Sequence, residues 1–168
     1  MNMKALSISQ PYALLVLLPA YDDEPIRPLK NVENRSWPVP KNFQLPQRIY
    51  VHAPLSFYDV TLQEVKDRMM ASQWTHHREK LFYMYRQWDL YKYDKQRLKQ
   101  SSYFGHILGE ITITECRFRF GEENTELYSP WHFPGQYGFY LSDPKLYEAP
   151  IPYKGAQKFF EVNLTEHK

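Results

Sequence analysis

The chain has 168 residues, enough for one domain and its core. Its 21 basic and 19 acidic side chains leave a net charge of +2, so no global positive field marks it as a nucleic-acid binder. A hydrophobic share of 43% excludes wholesale disorder, and a single cysteine, Cys116, excludes an intramolecular disulfide or a Cys-rich zinc module.

Aromatic content is high, with 14 Tyr, 10 Phe and 4 Trp against 6 Gly. No apolar run approaches the roughly 18 residues of a membrane span. The longest, Ala13 to Leu18, ends at Pro19 and lacks the basic flank of a signal peptide. A cytoplasmic protein with no membrane partner is the expectation.

Met3 to Ser9 alternates with period two and predicts a strand with Leu6 and Ile8 facing the core. Gln10-Pro11 starts a short helix, and Tyr12 to Leu18 is apolar all round, so that helix should be buried. Pro19 to Leu29 reads as a solvated loop or lid, with an Asp22-Asp23-Glu24 acidic run. Strands follow at Asn31 to Trp37 and Arg48 to Ala53. Phe57 to about Gln100 is free of Gly and Pro and has helical apolar spacing at Val65, Met69, Leu81, Tyr85, Trp88 and Tyr91, predicting two helices that break near Ser72. Between Lys66 and Gln100 there are nine basic and four acidic residues, so the chain's positive charge concentrates there.

Gly105 to Phe120 predicts a long strand, bulged near Thr114-Glu115 where the apolar parity flips. Tyr137 to Leu141 is a strand, Ser142-Asp143-Pro144 a turn, and Leu146 to Pro152 an extended edge. Gln157 to Leu164 is the last strand. The pattern predicts an α+β domain around a small barrel, with the first and last strands in one sheet.

The densest polar constellation is Lys30-x-x-Glu33-x-Arg35, followed by Trp37. On a strand Glu33, Arg35 and Trp37 share a face, and Lys30 at the strand's start can curl toward them. A carboxylate between two cations can read a nucleobase edge, with an aromatic ring as stacking face. An exposed strand with cross-strand ion pairs has the same pattern. His52 could donate into a pocket or serve structurally. His76 and His77 point about 100° apart on a helix, and no zinc-binding spacing occurs, so neither metal nor cofactor is expected. Cys116 reads as a buried strand residue. From Trp74 to Lys99 basic and aromatic residues interleave, which suits a nucleic-acid backbone at Arg86, Lys92 and Lys95, or an amphipathic helix used in packing or in a homodimer.

These residues resemble the ASCH (activating signal cointegrator homology) family of the PUA-like superfamily. The likeness is carried in order by Leu6-Ser-Ile-Ser-Gln-Pro-Tyr-Ala13, Lys30-Asn-Val-Glu-Asn-Arg-Ser-Trp37, Ile49-Tyr-Val-His-Ala53, Gly105-His-Ile-Leu-Gly-Glu-Ile111, Tyr137-Gly-Phe-Tyr-Leu-Ser-Asp-Pro144, Pro150-Ile-Pro-Tyr-Lys-Gly155 and Phe159-Phe-Glu-Val162. The family signature is Gly-x-Lys-x-x-Glu-x-Arg; here Pro28 stands where the Gly would be. The resemblance implies one PUA-like barrel over residues 1–168; the helical region at about 57–103 departs from a compact family member and reads as an insertion. It also implies a cleft for RNA, single-stranded nucleic acid or a modified nucleobase that holds the signature residues Lys30, Glu33 and Arg35; Trp37, His52 and, from the first helix, Gln10 and Tyr12 are expected to complete its lining. One bacterial branch hydrolyses N4-acetylcytidine, with Thr where Glu33 stands; other relatives are ribonucleases. For hydrolysis of an acylated base Lys30 and Glu33 are the catalytic candidates; no residue of the chain specifies ribonuclease chemistry.

Overall fold

A computed structural model describes residues 2–21, 23–24 and 26–164, so Asp22 of the acidic run lies outside the described residues. The elements are β1 (Asn2–Ser7), α1 (Tyr12–Leu17), β2 (Val32–Arg35), β3 (Gln47–Ala53), α2 (Leu62–Asp67), α3 (Ala71–Tyr91), α4 (Lys95–Gln100), β4 (His106–Phe118), β5 (Tyr137–Pro152) and β6 (Phe159–Asn163), with a 3-10 turn at Thr125–Leu127. The fold is α+β. Six strands form one sheet in the order β2-β5-β4-β3-β1-β6. Only β1 and β3 run parallel; the other neighbours are antiparallel. As the sequence predicts, the first and last strands are neighbours, with Leu6 opposite Phe159 and Asn2 opposite Asn163. None of the described helices is long and apolar enough to cross a membrane.

The sheet bends because β4 and β5 slip register three times, including the step between Ile113 and Glu115 where the apolar parity flips. Gly109 permits one of these close passages: a Cβ there would lie 2.0 Å from the Lys145 carbonyl oxygen. Tyr137 to Pro152 is one continuous strand, which corrects the predicted turn at Ser142–Pro144. Asp143 takes a positive φ of 55° and the strand bends there without ending, because β4 stays paired on both sides of it. The first part of β5 lies between β4 and β2, and the proline-bearing part pairs with β4 alone, which suits residues that lack an N–H.

Strands β2 and β6 are the sheet's edges, yet their side chains meet. Trp37, just past β2, packs edge-on against Phe159 of β6 at 5.7 Å, and Phe139 of β5 stacks on Phe159 at 5.8 Å. The concave side of the curled sheet holds Leu6, Ile8, Ile49, Val51, Ile111, Ile113 and Phe139. Helix α1 is buried on all sides, as its composition predicts: Ala13, Val16 and Leu17 face that core, and Leu14 and Leu15 face a second one beneath the helices.

The region predicted as two helices is three, because the chain breaks both at 68–70 and at 92–94. A Thr61–Glu64 capping box starts α2, and the Asp94 side chain caps α4. Only His77, Leu81 and Met84 of α3 are buried. Trp88 clusters with Phe57 and Phe104, its ring 5.3 and 5.8 Å from theirs, and the Tyr85 hydroxyl donates to the Val60 carbonyl at 2.7 Å. One aromatic face of α3 is therefore packing, while Phe82 and Tyr83 remain exposed. His77 bonds through Nε2 to the Pro19 carbonyl at 2.9 Å and ties α3 to the loop after α1.

Candidate functional site

Strand β2 is short, and its edge position leaves its side chains free to serve two neighbours. Lys30, Glu33 and Arg35 form a chain of ion pairs. Lys30 Nζ donates to Glu33 Oε2 at 3.2 Å and to the Val32 carbonyl, and Arg35 Nε stands 3.2 Å from Glu33 Oε1. Lys30 is 0% exposed and Glu33 1% exposed. The third side of the lysine ammonium faces the ring of Tyr12 at 4.5 Å, with Trp131 at 5.9 Å. Burial pushes the Lys30 amine below the ordinary lysine range, and Glu33 opposes that shift. A carbonyl, a carboxylate and a π-face match the three N–H groups of an ammonium, so the arrangement holds a cation.

The intervening residues turn the other way. Asn34 donates to the Trp131 carbonyl at 2.8 Å and accepts from the Phe133 amide at 2.9 Å, while Asn31 bonds the Ser129 hydroxyl. These two amides clamp the loop that lays Trp131 over Lys30. Arg68, at the end of α2, covers Trp131 and Phe133 from outside at 5.2 and 5.3 Å. His132 in the same loop is buried; its ring bonds the Tyr140 hydroxyl and the Gln136 carbonyl, both at 2.9 Å.

The sequence-predicted residues separate into two groups. Arg35, Trp37 and His52 line a cleft of about 990 Å³ that also contains Ser7, Ser9, Tyr58, Lys99, His106, Tyr153, Lys154, Gly155 and Lys158. Lys30, Glu33, Gln10 and Tyr12 do not line it. Lys30 and Glu33 lie in the wall behind Arg35. The Gln10 amide is used at both ends, accepting from the Leu14 amide and donating to the Tyr103 carbonyl, both at 2.9 Å. It thereby satisfies one of the unpaired N–H groups of α1. Tyr12 packs at a tilt against Tyr58, with ring centres 4.8 Å apart, and lies between Lys30 and that ring. On the helices, Arg86 and Lys95 are exposed and Lys92 half-buried.

Arg35 is the member of the ion-pair chain that reaches the cleft. Its side chain is 17% exposed, its NH2 group donates to the Ser7 carbonyl at 2.7 Å, and its guanidinium lies 5.7 Å from the Trp37 ring. No acidic residue is among the described residues that line the cleft, while Arg35, Lys99, Lys154 and Lys158 are cationic and Trp37, Tyr58 and Tyr153 offer rings. His52 Nε2 donates to the Tyr153 carbonyl at 2.8 Å, which leaves Nδ1 to accept from the Ser7 hydroxyl at 2.9 Å. Burial pushes the His52 pKa down, so the ring is neutral at pH 7. Gly155 crosses directly over this pair: a Cβ would lie 2.4 Å from the His52 ring and 2.7 Å from Ser7 Oγ.

Sequence reasoning missed Trp131, Arg68, Ser7, Lys99, Lys154 and Lys158. Trp131 and Arg68 reach the site across long sequence separations, and no local pattern marks them. Lys154 and Lys158 flank a glycine in a short segment between strands, a signal that was present. No family model and no curated protein sequence matches the chain.

The ion-pair chain makes a stability prediction. Lys30→Met leaves the buried Glu33 with Arg35 as its remaining partner and should cost up to about 3 kcal/mol, whereas Lys30→Met/Glu33→Leu removes both sealed charges, leaves the part-exposed Arg35 without its carboxylate, and should recover part of that loss. Urea unfolding of the three proteins checks this. A single variant as stable as the wild type, or a double variant no better than the single, contradicts the geometry.

Proposed function

We propose that this chain is a stand-alone ASCH-like module that binds a nucleotide, or one end of a single-stranded nucleic acid, in the Arg35 cleft. The observation that carries the reading is the cleft's lining: four cations, three aromatic faces and no carboxylate among the described residues. Cations take phosphate oxygens by charge-assisted hydrogen bonds, and a planar base stacks on Trp37, Tyr58 or Tyr153. The Lys-x-x-Glu-x-Arg signature then acts as the cleft's foundation, with only Arg35 presented to ligand. The sheet in this reading is an open PUA-like barrel: among the described residues its edges β2 and β6 share no backbone ladder, and Trp37 beside β2 packs against Phe159 of β6.

Quenching of tryptophan fluorescence tests the reading directly, because Trp37 lines the cleft. Nucleoside monophosphates should bind at least about tenfold more tightly than the matching nucleosides, as one charge-assisted contact is worth roughly 1.5–3 kcal/mol. Lys154→Gln/Lys158→Gln should remove that difference. Equal affinity for both ligand sets, or binding of neither, rules the reading out.

The second reading is hydrolysis, of an acylated cytidine or of RNA. Lys30 lies behind the cleft wall, so the groups in reach are Ser7 and the neutral His52 that accepts its proton, an arrangement that activates a hydroxyl. N4-acetylcytidine is the direct probe. Release of cytidine and acetate by the wild type, lost in Ser7→Ala, would establish this reading with Ser7 as the acting group. Release that survives Ser7→Ala would exclude Ser7 as the acting group, and no release by the wild type leaves the binding module.

A further inference from the structure

Helix α4 continues the cationic wall of the cleft outward. Lys99 lines the cleft, where its stem passes close to Gly105. Lys95 lies one turn earlier on the same helix face, about 6 Å away along the axis. The acidic residue beside them, Asp94, is committed elsewhere: it accepts from the Arg97 amide at 3.2 Å, and its other oxygen lies 3.7 Å from Arg97 Nε. Lys95 and Lys99 thus carry no ion pair among the described residues. Only Leu98 of α4 is buried, so these lysines are not needed to seat the helix.

At the far end, just before the Asp94 cap, stands Tyr93. Its 93% exposure exceeds that of every other exposed large hydrophobic residue described, and the Lys92 ammonium lies 5.5 Å from its ring. A tyrosine so exposed adds little to packing but offers an unobstructed π-face beside a cation. Going back along the chain from Lys99 in the cleft come Lys95, one turn away on the same helix face, and then Lys92 with Tyr93.

We propose that α4 is a track for a single-stranded nucleic acid whose terminal nucleotide occupies the cleft, with phosphates passing Lys99 and Lys95 and a base stacking on Tyr93. The inference rests on the cleft reading above and extends it from a nucleotide to a strand. A strand fits because it alternates phosphates with planar rings, as the track alternates cations with an aromatic face. An acidic peptide would satisfy the lysines and leave Tyr93 without a stacking partner.

The test compares uridine monophosphate with an oligouridylate of about six nucleotides, within the span of one binding fold. Both are titrated against the wild type and the Tyr93→Ala/Lys95→Gln variant, with melting curves to verify folding. The variant should bind the monophosphate like the wild type and the oligonucleotide about tenfold more weakly. Its salt slope for the oligonucleotide should be shallower by about 0.7, one phosphate contact on a single strand. If the oligonucleotide's affinity and slope stay unchanged while the monophosphate still binds, the track is wrong and the cleft reading stands. If the variant loses monophosphate binding too, these residues serve the cleft or the fold, and the track is equally wrong. If the wild type binds neither ligand, the cleft reading itself fails. A polyglutamate peptide that competes as well as the oligonucleotide would reassign α4 to an acidic protein partner and overturn the proposal.

Discussion

A carboxylate buried between two cations sets the arrangement of this protein. Burying an isolated carboxylate costs several kcal/mol or more of desolvation, so Glu33 needs partners. It is held by Lys30 on one side and Arg35 on the other. Lys30 in turn needs a carbonyl, a carboxylate and a ring, which fixes Val32, Glu33 and Tyr12 around it. Arg35 is thereby aimed at the Ser7 carbonyl and the cleft, and its guanidinium is the end of the chain that can meet a ligand. The same short segment uses Asn31, just before β2, and Asn34 within it to fasten the loop that closes over Lys30. Six consecutive residues thus tie the helical core, the closing loop and the cleft to one another.

The curl of the sheet is the second constraint. Register slips between β4 and β5 bend the sheet until the aromatic side chains near β2 touch those of β6. That contact brings Trp37 and Lys158 to the same cleft as Arg35; the Lys158 ammonium lies 5.7 Å from the Trp37 ring. A flat sheet of the same strand order would leave β2 and β6 at opposite ends, and the cleft's cations would not converge.

Most strands were legible because alternation reports a half-buried strand whatever its partners. Leu6 and Ile8 face the core as read, and the parity flip before Cys116 marks a true register slip. Ser142-Asp143-Pro144 misled because turn residues also serve at a bend inside a strand when the neighbouring strand keeps its hydrogen bonds. The second helical break, at 92–94, was hidden because Lys92, Tyr93 and Asp94 carry no Gly or Pro; Asp94 acts there as a cap. At the site, two-residue parity correctly joined Glu33 with Arg35. It could not show that Lys30 and Glu33 are sealed, because the seal is Tyr12 and Trp131, which lie 18 and 101 positions from Lys30 in the chain. For the same reason Gln10 looked available as a ligand contact, although its amide is spent on Leu14 and Tyr103.

The claim that Glu33 serves the cleft by holding Arg35 is tested most directly by the affinity of Glu33→Gln for a nucleoside monophosphate, with the fold verified by melting. The side chain keeps its shape and loses its charge, at a position that does not line the cleft. Simple electrostatics would have the loss of a negative charge near an anion site tighten binding. The account predicts the opposite sign: Arg35 loses the partner that fixes it, and affinity falls by about tenfold or more. Unchanged or tighter binding by a folded Glu33→Gln protein would contradict it.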